Sequence, residues 1–160
     1  MNGSKGTATS ALEQVEVPVD PLQAFRIFTE EINQWWVPGP INYFDAGRAV
    51  AMRVEPGIGG RVLEEYENDA PLVIAEITEW SPGERLVYRG VVDDSQTVIA
   101  FSAVDTGTRV DVHQFLRPGG SKAFMFWPNV IAWFATSSGG VKAETNLQCY
   151  KETHEEMTTR

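Results

Sequence analysis

The chain has 160 residues, a length that suits one domain and leaves little room for two. Its formal net charge is −9, from 22 acidic and 13 basic residues, and the basic residues are scattered singly, so we expect no nucleic acid among its partners. The single cysteine, Cys149, excludes an intramolecular disulfide, and no stretch reaches the roughly 20 apolar residues of a membrane span. These features favour a protein of the cytoplasm.

The N-terminal segment is small and polar, and it lacks the apolar stretch of a secretion signal. We expect residues 1–10 to be a disordered leader and residues 11–157 to form one domain. At the start of that domain, valines alternate with polar residues, which predicts a first strand over residues 12–19.

Asp20 and Pro21 predict the start of a helix directly after the first strand. The aspartate carboxylate can accept a hydrogen bond from an exposed amide, and proline has no amide hydrogen to leave unsatisfied. The helical pattern continues or restarts up to Trp36, and the Pro-Gly-Pro sequence at residues 38–40 ends it. We therefore predict two short helices after the first strand.

Short β-rich runs recur from residue 48 onward, separated by turn signals of Gly, Pro, Asn and Asp. Such spacing predicts hairpins in a meander, in which sequence neighbours pair in one antiparallel sheet. The regular α/β alternation that a parallel sheet needs is absent. The predicted strands are residues 49–54, 60–66, 72–80, 84–91, 97–104 and 108–116.

A different pattern follows the last of these strands. Apolar residues recur at roughly helical spacing from residue 121 to about residue 156, which predicts one long C-terminal helix. Gly139 and Gly140 interrupt it, and because each glycine costs about 1 kcal/mol in a helix interior, we expect a bend or a close contact there. The order of the elements predicts an α+β fold.

Several short motifs occur in an order that resembles one known fold. Trp35-Trp36 ends the helical segment, Gly59-Gly60 leads into a strand, and Gly107-Thr108 leads into the last strand. With the Pro-Gly turn inside residues 77–88, this order resembles the helix-grip fold of the START-like, or SRPBCC, superfamily. Within it, the chain is similar to the family related to the C-terminal domain of activators of the Hsp90 ATPase. It departs from that family at Gly140-Val141, where Gly-Trp is common.

The resemblance implies a curved antiparallel sheet of six or seven strands wrapped around the long helix, with a cavity between them. Together with the many aromatic residues, it implies a protein that binds a small hydrophobic molecule, such as a lipid, a polyketide or an aromatic metabolite. Two alternatives stay open: an Hsp90-activator-like module of protein interaction or stress response, and a cyclase- or aromatase-like enzyme. We favour a binding protein over an enzyme. The sheet edges of such a fold would also permit a homodimer.

Aromatic residues are the candidates for the cavity wall, because ligand pockets are mainly apolar with few polar groups. Each of them taken alone is more often part of a core than of a binding site. The candidate ligand-contacting residues are Trp35, Trp36, Phe44, Trp80, Tyr88, Phe101, Phe126, Val130, Trp133 and Phe134.

Three residues are candidates for polar contacts in the cavity. Arg61 and Glu64 lie on opposite faces of their predicted strand, so one of them can point inward, although surface ion pairing is the plainer interpretation. His113 lies on the face opposite Val110 and Val112, and a local bulge would be needed to turn it inward.

Recognisable catalytic and metal-binding patterns are missing from the sequence. One cysteine and two distant histidines make no zinc set, and there is no Gly-x-Ser-x-Gly nucleophile motif. Adjacent acidic pairs, among them Asp93-Asp94, are expected to lie in solvent. We therefore predict no catalytic residue, no metal and no cofactor.

Overall fold

Seven antiparallel strands form one curved sheet in the computed structural model of this chain. The structure describes residues 10–36, 44–122 and 127–139, with the backbone alone for residues 127–130. The strand order in the sheet is β1-β7-β6-β5-β4-β3-β2, so each strand from β2 to β7 pairs with its neighbour in sequence. The strands are β1 Ser10–Val17, β2 Ala49–Val54, β3 Arg61–Tyr66, β4 Leu72–Ser81, β5 Arg85–Gly90, β6 Ser95–Val104 and β7 Gly107–Leu116.

The meander from β2 to β7 and the α+β class confirm the prediction. The first strand, β1, forms the edge of the sheet next to β7. β1 pairs antiparallel with β7, with Ser10 opposite Phe115 and Val17 opposite Thr108. The strand therefore begins inside the segment that we assigned to the leader, and it ends two residues earlier than predicted. Pro18, which has no amide hydrogen for a ladder, follows its last residue.

Two short helices follow β1, as predicted: α1 Pro21–Thr29 and α2 Ile32–Trp35. The Asp20 carboxylate caps α1 by accepting from the Gln23 amide at 2.8 Å. The apolar face of α1 lies against β6 and β7, and it carries Phe25 and Phe28, both 2% exposed. The helices thus cover the inner face of the sheet.

The described part of the C-terminal region contains one helix, α3 Trp127–Ser137, which packs mainly against β1. Gly139 follows it with a φ of 82°, a left-handed conformation that ends an α-helix and that glycine adopts without strain. We predicted one long helix up to about residue 156, and residues 140–156 lie outside the described residues. None of the helices in the described ranges is long and apolar enough to cross a membrane.

Candidate functional site

An apolar pocket lies between the α1–α2 segment and the inner face of the sheet. The enclosed cavity has a volume of about 30 Å³. It lies within a larger depression of about 660 Å³, a volume that includes open solvent. The cavity itself holds about two water molecules, so a larger ligand has to move side chains at the open side. Apolar side chains form most of the wall, including Phe28, Ile32, Trp36, Met52, Val62 and Leu86.

A row of polar side chains crosses the inner face of the sheet at one end of the pocket. Tyr88 on β5 lies opposite Thr97 on β6, and Thr97 lies opposite Gln114 on β7. Thr97 and Gln114 are 1% and 3% exposed, and all three side chains line the pocket. Burial raises the pKa of the Tyr88 hydroxyl far above its ordinary value, and the Thr97 side chain opposes that shift. The row therefore offers neutral hydrogen-bonding groups.

Asp93 adds a carboxylate to this polar end. Its Oδ1 accepts hydrogen bonds from the Ser95 hydroxyl at 2.7 Å and from the Ser95 amide at 3.1 Å. The residue is 9% exposed and lines both the pocket and a polar cleft on the other side, which Glu76, Arg89 and Arg117 complete. Asp93 thus lies where the apolar pocket and the outer cleft meet.

The prediction that Asp93 and Asp94 both lie in solvent is wrong for Asp93. Asp94 is partly exposed, and its carboxylate accepts from the amides of Ser121 and Lys122 at 2.9 and 3.1 Å. These hydrogen bonds lower the pKa of Asp94. The two neighbours point in different directions, because the hairpin between β5 and β6 turns one carboxylate towards Ser95 and the other towards the segment after β7.

Gly90 makes room for the Asp93 carboxylate. A Cβ at residue 90 would collide with Asp93 Oδ1 and would lie 3.1 Å from Ser95 Oγ. We therefore expect Gly90→Ala to push the carboxylate from Ser95 and to lower the free energy of unfolding by about 1–3 kcal/mol, measured by urea denaturation. Gly47→Ala is the control, since its Cβ would meet only Asp45 Oδ1 at 3.9 Å. Equal stability of the two variants would contradict this role.

Glu64 points inward and is fully buried, and its contacts are with the protein itself. Its two carboxylate oxygens accept from the amides of Phe44 and Asp45, each at 2.8 Å, and from the Tyr66 hydroxyl at 2.7 Å. Burial and the hydrogen bond to Glu64 raise the pKa of Tyr66 to about 12. Glu64 therefore fastens the chain at Phe44, which lines the pocket, to the sheet.

Ion pairs reinforce this attachment from the outside. The Arg48 guanidinium lies 4.6 Å from the centre of the Tyr66 ring, and it pairs with Asp45 at 2.7 Å and with Asp69. Cation–π contact and ion pairing at such exposed groups contribute little each, but together they restrict where residues 44–48 can lie.

The structure brings three of the predicted aromatic residues, Trp36, Phe44 and Tyr88, to the pocket wall. Five others are placed elsewhere in the core. Trp35, Phe101 and Phe134 surround Phe28 with ring centres 5.1–6.0 Å from it, Trp80 packs edge-on against Phe25 at 5.0 Å, and Trp133 is buried on α3. Phe126 and the side chain of Val130 lie outside the described residues.

Arg61 and His113 do not line the pocket. Arg61 is exposed and binds Glu55 through two nitrogens, at 2.8 and 3.0 Å, which lowers the pKa of Glu55 to about 2. His113 is exposed on the outer face beside Phe115, with ring centres 5.0 Å apart, because Val110 and Val112 of the same strand fill the inner face. Strict alternation along β7 explains its position.

The polar residues of the pocket, Asp93, Ser95, Thr97 and Gln114, were missed in the sequence. One signal could have found two of them. Along β6, every second residue from Ser95 to Phe101 points inward. Ser95 and Thr97 therefore lie on the same face as the apolar residues Ile99 and Phe101, and this alternation could have predicted their inward position. Among the described residues, no three His, Cys, Asp or Glu side chains group as a metal ion would need.

Comparison with known proteins identifies the fold. Neither a family model nor a curated protein matches the sequence. Among solved structures, protein CV1439 from Chromobacterium violaceum is 16% identical and has a TM-score of 0.57. The match covers 82% of this chain and 98% of the CV1439 chain. Protein NE0264 from Nitrosomonas europaea is 17% identical (TM-score 0.54, 79% of this chain and 91% of its own). Protein SSP2350 from Staphylococcus saprophyticus is 15% identical (TM-score 0.52, 84% and 96%).

These likenesses concern the fold alone, because the identities are low. They support the helix-grip-like arrangement of a curved sheet around helices. They do not single out the family related to Hsp90 activators.

Proposed function

We propose that this protein binds a small, mainly apolar molecule in the pocket beneath α1 and α2. The observation that carries the proposal is the composition of the pocket: apolar walls from Phe28 to Leu86, closed at one end by the polar row. Binding sites for small molecules have this character, with a few polar groups that fix orientation. The two alternatives, an Hsp90-activator-like module and a cyclase- or aromatase-like enzyme, rest on the resemblance alone and stay predictions.

Removal of apolar surface from water would drive binding, and the polar row would set the ligand's direction. Tyr88, Thr97 and Gln114 lie at the same end of the pocket as Asp93 and Ser95, and the rest of the wall is mainly apolar, so a ligand with one polar end binds in a single orientation. Entry requires the open side to widen. Phe44 lines the pocket and is 38% exposed, so its side chain is the part of the wall that solvent already reaches.

A panel of lipids, polyketides and aromatic metabolites tests the proposal by thermal shift. We expect at least one compound to raise the melting temperature of the wild type, because a ligand that binds only the folded state stabilises it. Ala75→Leu should abolish that shift, since Ala75 is 1% exposed and lines the pocket. Ala100→Leu, on the partly exposed face of β6, should keep it.

Two results would count against binding in this pocket. One is an unchanged melting temperature with every compound. The other is a shift in Ala75→Leu as large as in the wild type, since the larger side chain fills the site.

A further inference from the structure

We propose that the pocket takes neutral molecules whose polar end donates a hydrogen bond, such as alcohols, phenols or aromatic amines, and rejects anionic ones such as fatty acids. This selectivity rests on the proposed function and names the class of ligand. It follows from Asp93, the carboxylate at the polar end of the pocket.

The groups around that end are acceptors or neutral hydroxyls and amides. Asp93 is 9% exposed, and its neighbours on the pocket wall are Ser95, Thr97, Tyr88 and Gln114. Among the described residues that line the pocket, none is Lys, Arg or His. An anionic headgroup would therefore meet a buried carboxylate and no cation on the described part of the wall.

One cation behind this region, Arg117, is engaged outside the pocket. The Arg117 guanidinium donates to the carbonyl oxygens of Ser95 and Gly90, and it lies 3.8 Å from the Asp94 carboxylate. It lines the outer cleft with Arg89 and Glu76, and not the pocket. Both of these hydrogen bonds come from Nη1, so the Arg117 guanidinium is held against the backbone behind the polar end.

Electrostatics makes the discrimination sharp. Like charges interact more strongly away from bulk water, and a desolvated anion that gains no partner pays its full desolvation cost. A neutral ligand with a donor group instead donates a charge-assisted hydrogen bond to the carboxylate. The net charge of −9 adds a weaker, salt-screened repulsion of anions over the whole surface.

Two fluorescent probes with the same anilinonaphthalene body test this selectivity. N-phenyl-1-naphthylamine is neutral and donates through its amine, and 1-anilinonaphthalene-8-sulfonate carries an added anion. We expect the wild type to bind the neutral probe at least about tenfold more tightly. Binding in the pocket is measured as the part of the probe fluorescence that is lost in the Ala75→Leu variant. Repeating the titrations at high salt separates the screened surface charge from the buried one.

Asp93→Asn should reduce the preference to less than about threefold by improving binding of the sulfonate. Asp105→Asn is the matched control, because it makes the same change in net charge at an exposed turn, and it should keep the wild-type ratio. Should Asp93→Asn fail to fold, Asp93→Ser is the second variant. It removes the charge and keeps a hydroxyl that can accept a hydrogen bond from Ser95. Circular dichroism establishes folding before each titration.

The outcomes separate this inference from the proposed function. Equal affinity of the wild type for the two probes, or a ratio that Asp93→Asn leaves unchanged, overturns the selectivity while the pocket remains a binding site. Failure of both probes to bind the pocket, together with a flat thermal-shift panel, overturns the binding function and the selectivity with it.

Discussion

Replacing Glu64 with alanine is expected to lower the free energy of unfolding by about 2–4 kcal/mol, because three donors lose their acceptor at once. Those donors are the amides of Phe44 and Asp45 and the Tyr66 hydroxyl. The expected loss stays below the sum for three fully buried donors, since Phe44 is 38% exposed and water can reach this segment. Urea denaturation followed by circular dichroism measures the change.

The adjacent residue provides a matched control for this prediction. Glu65 is partly exposed and pairs with Arg53 at 2.7 Å, so Glu65→Ala should cost less than about 1 kcal/mol. Glu64→Gln keeps one carbonyl acceptor and should fall between the two variants. If Glu64→Ala were no less stable than Glu65→Ala, the hydrogen bonds to residues 44–45 would not hold the chain there.

The substitution Phe28→Ala should cost about 3–5 kcal/mol in the free energy of unfolding. Phe28 is 2% exposed, and its ring centre lies 5.2 Å from that of Trp35 and 5.1 Å from that of Phe134. The ring therefore joins α1, α2 and α3, and its removal leaves a cavity that these elements cannot fill without moving. Urea denaturation monitored by tryptophan fluorescence and by circular dichroism gives the loss.

A second alanine on the same helix separates the loss of packing from the change in helix propensity, which alanine improves. Leu22 is 44% exposed on α1, so Leu22→Ala should change the stability by about 0.5 kcal/mol or less. Phe28→Leu, which keeps most of the apolar volume, should recover part of the loss. A cost for Phe28→Ala similar to that for Leu22→Ala would show that the aromatic cluster is not the link between the three helices.

The sequence predicted the fold well because most of its signals are local. Each hairpin from β2 to β7 joins neighbouring strands through a short turn, so alternation and turn residues suffice to pair them. The cap of α1 is equally local, since Asp20 and Gln23 are three residues apart. The ends of β1 were placed less well, because its partner β7 lies far along the sequence and because Pro18 directly after Val17 was not taken as its end.

The polar residues of the site were harder to predict because their orientation depends on distant contacts. On β3 both faces carry an apolar residue, Val62 on the side of Glu64 and Leu63 on the side of Arg61, so alternation could not decide which charge turns inward. Asp93 belongs to the pair Asp93-Asp94, a turn signal that is typical of solvent-exposed loops. Its burial depends on Gly90 and Ser95, a local packing that residue type alone does not reveal.

The strand order also determines what the segment over the pocket has to do. β1 and β2 are the two opposite edges of the sheet, yet they are consecutive in sequence. Residues 18–48 must therefore cross seven strands, a width of about 29 Å in a flat sheet at roughly 4.8 Å per strand pair. On that crossing, α1 and α2 pass over the inner face of the sheet, so the connection that joins the two edges also supplies Phe28, Ile32 and Trp36 to the pocket wall.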